Sequence, residues 1–86
     1  MQFPIKIKLE ALGFNDIEPI FDEHNAETVI GYSATHSTLF ADVELTQNEF
    51  GYHALFCNSE SKSAYEFSNR FLQHVIDWID LELKKV

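Results

Sequence analysis

No lysine or arginine occurs between Lys8 and Lys62, although ten carboxylates lie there: Glu10, Asp16, Glu18, Asp22, Glu23, Glu27, Asp42, Glu44, Glu49 and Glu60. Such a field repels nucleic acid and anionic membrane, so neither is expected as a direct ligand, and it attracts a basic partner. Cysteine is nearly absent as well. Cys57 alone cannot close an internal disulfide, and a reducing, cytoplasmic setting is the expectation. Glycine is scarce, and Gly13, Gly31 and Gly51 stand in no GxGxxG or GKS context, so no phosphate cradle is encoded. Long apolar runs are also missing. Nothing approaches the ~18 residues that span a bilayer. The N-terminal MQFPIKIKLEAL alternates apolar and charged residues instead of forming a signal-peptide block.

What is present is aromatic and acidic. The 86 residues, read as a single domain over 1–86, are 45% hydrophobic and carry eight Phe, three Tyr and one Trp against a net charge of −8. That is too apolar for disorder. A domain this small buries only roughly 60% of the surface its unfolded chain exposes, so the core is thin and large aromatics matter. A homodimer that hides further apolar surface is compatible with that size.

The period of the apolar residues changes along the chain. Ser63-Ala64-Tyr65-Glu66 has the form of a capping box, and no Gly or Pro interrupts the run from there to Lys85. On a wheel of about 100° per residue, Phe67, Phe71, Leu72, Val75, Ile76, Trp78, Ile79 and Leu83 occupy one half. Glu66→Arg70 and Asp80→Lys84 are i,i+4 pairs in the favourable order. A C-terminal helix of about six turns is predicted. Its apolar arc is wider than one surface needs, so the helix either sinks into a curved sheet or meets a second chain through Trp78, Leu81 and Leu83.

Upstream the period is 2. Residues 38–45 place Leu39, Ala41, Val43 and Leu45 on one face and Phe40, Asp42 and Glu44 on the other. A polar turn at 46–49 leads into a second strand from Gly51 to Cys57, completing a hairpin. Residues 28–33 read as another strand, and 17–22 as an edge strand, because Pro19 cannot donate to ladders on both sides. Residues 3–11 are ambiguous. Phe3, Ile5, Ile7, Leu9 and Ala11 alternate as in a strand, which the β-branched Ile5 and Ile7 favour. Pro4 near the start and Gly13 after Leu12 instead mark a short helix. The fold class is α+β: a four- to five-stranded antiparallel meander with one long C-terminal helix packed on one face. The alternative is αβββα, with residues 4–12 helical. Double-stranded-RNA-binding domains share that second order, but they reach phosphates with lysines at the start of their last helix. Only Lys62 stands there in this chain, beside an acidic loop, so the likeness is one of element order alone.

Motifs for chemistry are sparse. His24, His36, His53 and His74 form no HExxH and no i,i+4 pair, and His53 and Cys57, four apart on one strand, stand ~13 Å from each other. No catalytic residue, metal or cofactor is expected. A small enzyme or metal-binding domain built on His24, His36 or His53 is the remote rival.

The acids carry the functional expectation. Asp42 and Glu44 project the same way, ~6.6–6.8 Å apart, close to the spacing of successive phosphates on a nucleic-acid strand. Keeping an aromatic-rich protein soluble needs charge of either sign, and a stretch without a single cation goes beyond that need. The sequence therefore predicts a small non-enzymatic protein that docks on a basic partner protein, one that handles nucleic acid, and inhibits it. Nucleic-acid mimics, antidotes to cationic toxins and anti-defence proteins share this profile of charge and size. The expected contact residues are Asp22, Glu23, Glu27, Asp42, Glu44 and Glu49, with Phe40 as an aromatic anchor. The rival within the binding class is a homodimeric structural or adaptor domain assembled through its C-terminal helix.

Overall fold

A computed structural model describes residues 3–86 and places them in the order α1 (Phe3–Ala11), β1 (Phe14–Phe21), β2 (Val29–His36), β3 (Ala41–Asn48), β4 (Gly51–Asn58), β5 (Ser63–Asn69) and α2 (Leu72–Leu83). The strands form one antiparallel sheet with the spatial order β1-β2-β3-β4-β5. The expected α+β meander with a C-terminal helix is present, with five strands and a second helix at the N-terminus. Among the described residues no helix is long and apolar enough to cross a membrane.

Residues 3–11 are helical, not extended. A strand would put Ile5, Ile7 and Leu9 on one face, whereas a helix puts Ile5 and Leu9 together and turns Ile7 away. Ile5 and Leu9 are buried, and Ile7 is 48% exposed. The end of α1 is fixed by Gly13 at φ 96, with the Leu12 and Gly13 amides bonded to the Leu9 and Glu10 carbonyls at 3.1 and 3.0 Å. That left-handed C-terminal stop suits glycine. Pro-first and Gly-last thus outweighs the apolar alternation.

The larger correction concerns residues 63–69. They form β5, paired with β4 through seven residues from Tyr52↔Asn69 to Asn58↔Ser63. The apparent capping box is therefore strand, and α2 covers 12 residues, about half the helix expected. Tyr65 and Phe67 turn toward the helices and Ala64, Glu66 and Ser68 away from them, which satisfies period 2 as well as the wheel had satisfied 3.6. Asn69 receives the Phe71 amide at 2.9 Å and ends the strand. The Asp80–Lys84 pair forms at 3.4 Å, whereas Glu66 does not reach Arg70 and binds His53 instead. Smaller shifts move the β3–β4 turn to Glu49–Phe50, extend β2 to His36 and start β1 at Phe14.

Both helices cover the same face. The core joins Ile5 and Leu9 of α1 and Val75, Ile76, Ile79 and Leu83 of α2 to Phe14, Ala34, Ala41, Val43, Leu45, Ala54 and Phe56 of the strands. Ala41, Val43 and Leu45 are one alternation of β3, so the other alternation faces away from the helices. Trp78 stacks on Phe67 at 5.4 Å and meets Phe56 edge-on at 6.4 Å. The wide apolar arc of α2 is thus spent on the sheet, and only Leu81 of its three candidate dimer residues stays largely exposed.

At Gly31 the β3 backbone leaves no room for a side chain on β2. A Cβ there would meet the Leu45 carbonyl oxygen inside any real contact distance and lie 2.6 Å from the Thr46 Cα. Gly31→Ala is expected to destabilise the fold by about 1–3 kcal/mol, because backbone cannot yield as a side chain can. Thermal unfolding checks this, and a change below the error of the measurement would contradict it.

Candidate partner-binding face

Every one of the five strands lacks lysine and arginine. The six cations lie elsewhere: Lys6 and Lys8 on α1, Lys62 in the β4–β5 turn, Arg70 between β5 and α2, and Lys84 and Lys85 behind α2. Four of them are engaged there. Lys8 bonds Gln73 at 2.7 Å, Lys84 bonds Asp80 at 3.4 Å, Lys85 bonds Glu82 at 3.1 Å, and Arg70 lies over the Phe71 ring at 5.6 Å. None of these contacts reaches the helix-free face of the sheet.

The registers assign that face row by row. Glu18↔Ser33, Ser33↔Glu44, Glu44↔Leu55 and Leu55↔Glu66 form one line across all five strands. Its carboxylates occupy alternate strands, about 9.5 Å apart. The next line runs Asn15, Thr35, Asp42, Cys57 and Ala64. Asp16, Glu18, Asp42 and Glu44 border a shallow depression of about 260 Å³, with Ser33 and Thr35 also lining it.

A β-bulge makes this possible. Between Asn15 and Glu18, β1 advances three residues while β2 advances two, from Thr35 to Ser33. Phe14 and Glu18 are four apart and would share a face in an unbroken strand. The extra residue lets Phe14 enter the core, 3% exposed, while Glu18 emerges opposite Ser33. Asp16 takes the positive φ of 48 in the bulge, a conformation aspartate tolerates better than most side chains.

The expected contact residues divide into three groups. Asp42 and Glu44 stand on the face, with the Asp42 carboxylate accepting the Ser59 hydroxyl at 3.0 Å. Asp22, Glu23 and Glu27 lie in the β1–β2 loop and Glu49 in the β3–β4 turn, both at the same end of the meander. Asp22 orders its loop by accepting the His24 amide at 2.7 Å, and Asn25 accepts the Glu27 amide at 3.1 Å. Phe40 is not on the strand with Asp42 and Glu44. It precedes β3 in the loop at the opposite end, 65% exposed, where its carbonyl accepts the Ser59 amide at 2.9 Å. Phe50 caps the other end at 81% exposure, and Tyr52 pairs with Gln47 and packs toward the core.

Asp16, Glu18 and Glu66 complete the face and were not singled out from the sequence as contact residues. Glu66 accepts the His53 Nε2–H at 2.9 Å, and His53 Nδ1 receives the Ser68 hydroxyl at 2.6 Å. These residues are 13 and 15 apart in the chain and meet only through the β4–β5 ladder. The trio is open to water, with Glu66 66% exposed, and neighbouring carboxylates disfavour an oxyanion at Ser68. Its clear physical effect is to fix Glu66 in position.

His36 is structural. Its Nε2–H donates to the Leu12 carbonyl at 3.0 Å while Nδ1 accepts the Leu39 amide at 3.1 Å, which ties the end of α1 to the β2–β3 loop. Among the described residues no three His, Cys, Asp or Glu side chains converge as metal ligands.

Cys57 reports on the field of the face. Burial pushes its thiol pKa upward, and the charges of Asp42 and Glu44 push it further. Combining Asp42→Asn with Glu44→Gln removes the electrostatic part, so the thiolate fraction rises. Alkylation by iodoacetamide at mildly alkaline pH is then expected to quicken about two- to fourfold. Equal rates in the two proteins would mean that the carboxylates are too well solvated to act at this distance. Comparison with known proteins gives no matching family model, no matching curated protein and no matching solved structure, so the reading of this face rests on its own geometry.

Proposed function

We propose that this chain is a non-enzymatic binding protein whose helix-free sheet face docks on a basic surface of a partner protein and blocks it. One observation carries the reading: Asp16, Glu18, Asp42, Glu44 and Glu66 share a face that holds no lysine or arginine, on five strands that hold none either. A rigid sheet presents these charges without the entropy cost of ordering backbone loops on binding. The small Ser33 and Thr35 on β2 line the depression between Asp16, Glu18, Asp42 and Glu44, where a partner's side chains can descend between the carboxylates.

The partner class follows from the spacing. Carboxylates about 6.7 Å apart along β3 and about 9.5 Å apart across the sheet approximate a strand of phosphates seen by a cationic groove. The occupant is therefore a nucleic-acid-handling protein, and docking excludes its normal ligand. The acids of the β1–β2 loop and Glu49 extend the field past one end of the face and steer the approach.

The test uses a basic, nucleic-acid-binding protein domain and polylysine as immobilised probes. Retention is expected at low salt and release by moderate salt, with duplex DNA displacing the protein from the domain because both occupy the same basic groove. Failure to bind either probe at low ionic strength removes the reading.

A further inference from the structure

We propose that β5 is the docking edge of this face, and that an extended segment of the basic partner, alternating cationic and apolar residues, adds to it as a sixth strand; this rests on the basic-partner reading. The two edges of the sheet are unlike. β1 carries Pro19, which has no N–H, the bulge at Asn15–Glu18 and the left-handed Asp16, so it offers no regular template. β5 is seven residues without Pro, Gly, Lys or Arg, in unbroken register with β4. No backbone hydrogen bond outside the sheet ladder involves it among the described residues.

An added strand presents alternate side chains to the two faces of β5. On the helix-free side they meet Glu66, with Ala64 and Ser68 too small to obstruct, which selects a lysine or arginine. On the other side they meet Tyr65, half-exposed at 50%, beside a cleft of about 430 Å³. Phe56, Tyr65 and Val86 line that cleft together with the polar Asn58, Ser63 and Glu82, whose carboxylate is held by Lys85 at 3.1 Å. The apolar positions of this alternation are Tyr65 and Phe67, and a residue of the added strand set against them is apolar. Main-chain bonds supply affinity in such strand addition, and pockets for alternate side chains supply specificity. A second copy of this chain fits less well. Each copy carries −8, and pairing β5 with itself about its central residue would set Glu66 against Glu66 and Lys62 against Arg70.

The probe is a synthetic peptide of alternating lysine and valine, compared with the same peptide N-methylated at every second residue. Amide hydrogen exchange along β5 is expected to slow about tenfold or more in the presence of the unmodified peptide. N-methylation is expected to weaken binding by about tenfold or more, through lost main-chain bonds. If the peptide perturbs the Asp42 and Glu44 carboxylates but leaves β5 exchange unchanged, the edge proposal falls while the acidic-face reading stands. If it does not bind at low salt, both fall. Protection of β5 that grows with protein concentration and needs no peptide would give the edge to a second copy and overturn the proposal.

Discussion

Reversing Asp42 and Glu44 to lysine together abolishes retention on a basic partner and leaves the fold intact. Each reversal removes one attraction and adds one repulsion, at about 0.5–1 kcal/mol per exposed charge contact. The total is about 2–4 kcal/mol, roughly a thirty- to thousandfold loss of affinity at low salt. Stability should hold, because both side chains are on the helix-free alternation of β3 and neither touches the core. Near-neutral surface changes usually stay within about 0.5 kcal/mol. Binding measured against salt, with melting temperature as the control, checks both parts. The same reversals at Asp22 and Glu23, in the β1–β2 loop, should slow association more than they weaken the complex. If the loop reversals instead cost as much affinity as the strand reversals, the contact surface is the loop end of the meander and not the sheet.

Phe56→Ala should be the most damaging single change to the fold. Phe56 is 1% exposed, stands on β4 between Val43 and Tyr65, and meets Trp78 edge-on. Emptying a buried phenylalanine site costs about 3–5 kcal/mol. A domain of this size holds only about 5–15 kcal/mol in total, so the variant is marginal or unfolded. At roughly 4–8 °C per kcal/mol, the melting temperature falls by about 12–40 °C. Phe50→Ala is the matched control, because that ring is 81% exposed in the β3–β4 turn and contributes almost nothing to the core. Similar losses for the two would mean that the sheet is held by its turns more than by the α2–β4 packing.

The period-2 stretches were legible because half-burial imposes that pattern on a strand wherever one face is covered. Ala41, Val43 and Leu45 are buried, as their alternation requires, and Asp42 and Glu44 fall on the other side. Where two periods fitted the same residues, local reasoning had no means to choose. Ser63–Asn69 satisfies a helical wheel and a strand alternation equally. A capping interaction contributes about 1 kcal/mol, whereas seven paired residues on β4 and the Phe67–Trp78 stack act together. Residues 3–11 posed the same ambiguity with the opposite outcome. Ile5 and Leu9 gain more by meeting the core as an i,i+4 pair than three alternating apolar residues would gain at an outer edge.

The absence of lysine and arginine from residues 9–61 fixed by itself that whatever sheet this segment built would be negative, since no folding can bring a cation into a segment that has none. Composition is independent of conformation. Which carboxylates would share a surface was decided only in three dimensions. The bulge in β1 turned Glu18 outward while Phe14 went in, and the β4–β5 ladder brought Glu66 to His53 across 13 residues of chain. The helix layer kept Lys84 and Lys85 on Asp80 and Glu82, away from the sheet. Those outcomes depend on strand register and on which face the two helices cover, and both are set by the summed burial of the core, which no local pattern contains.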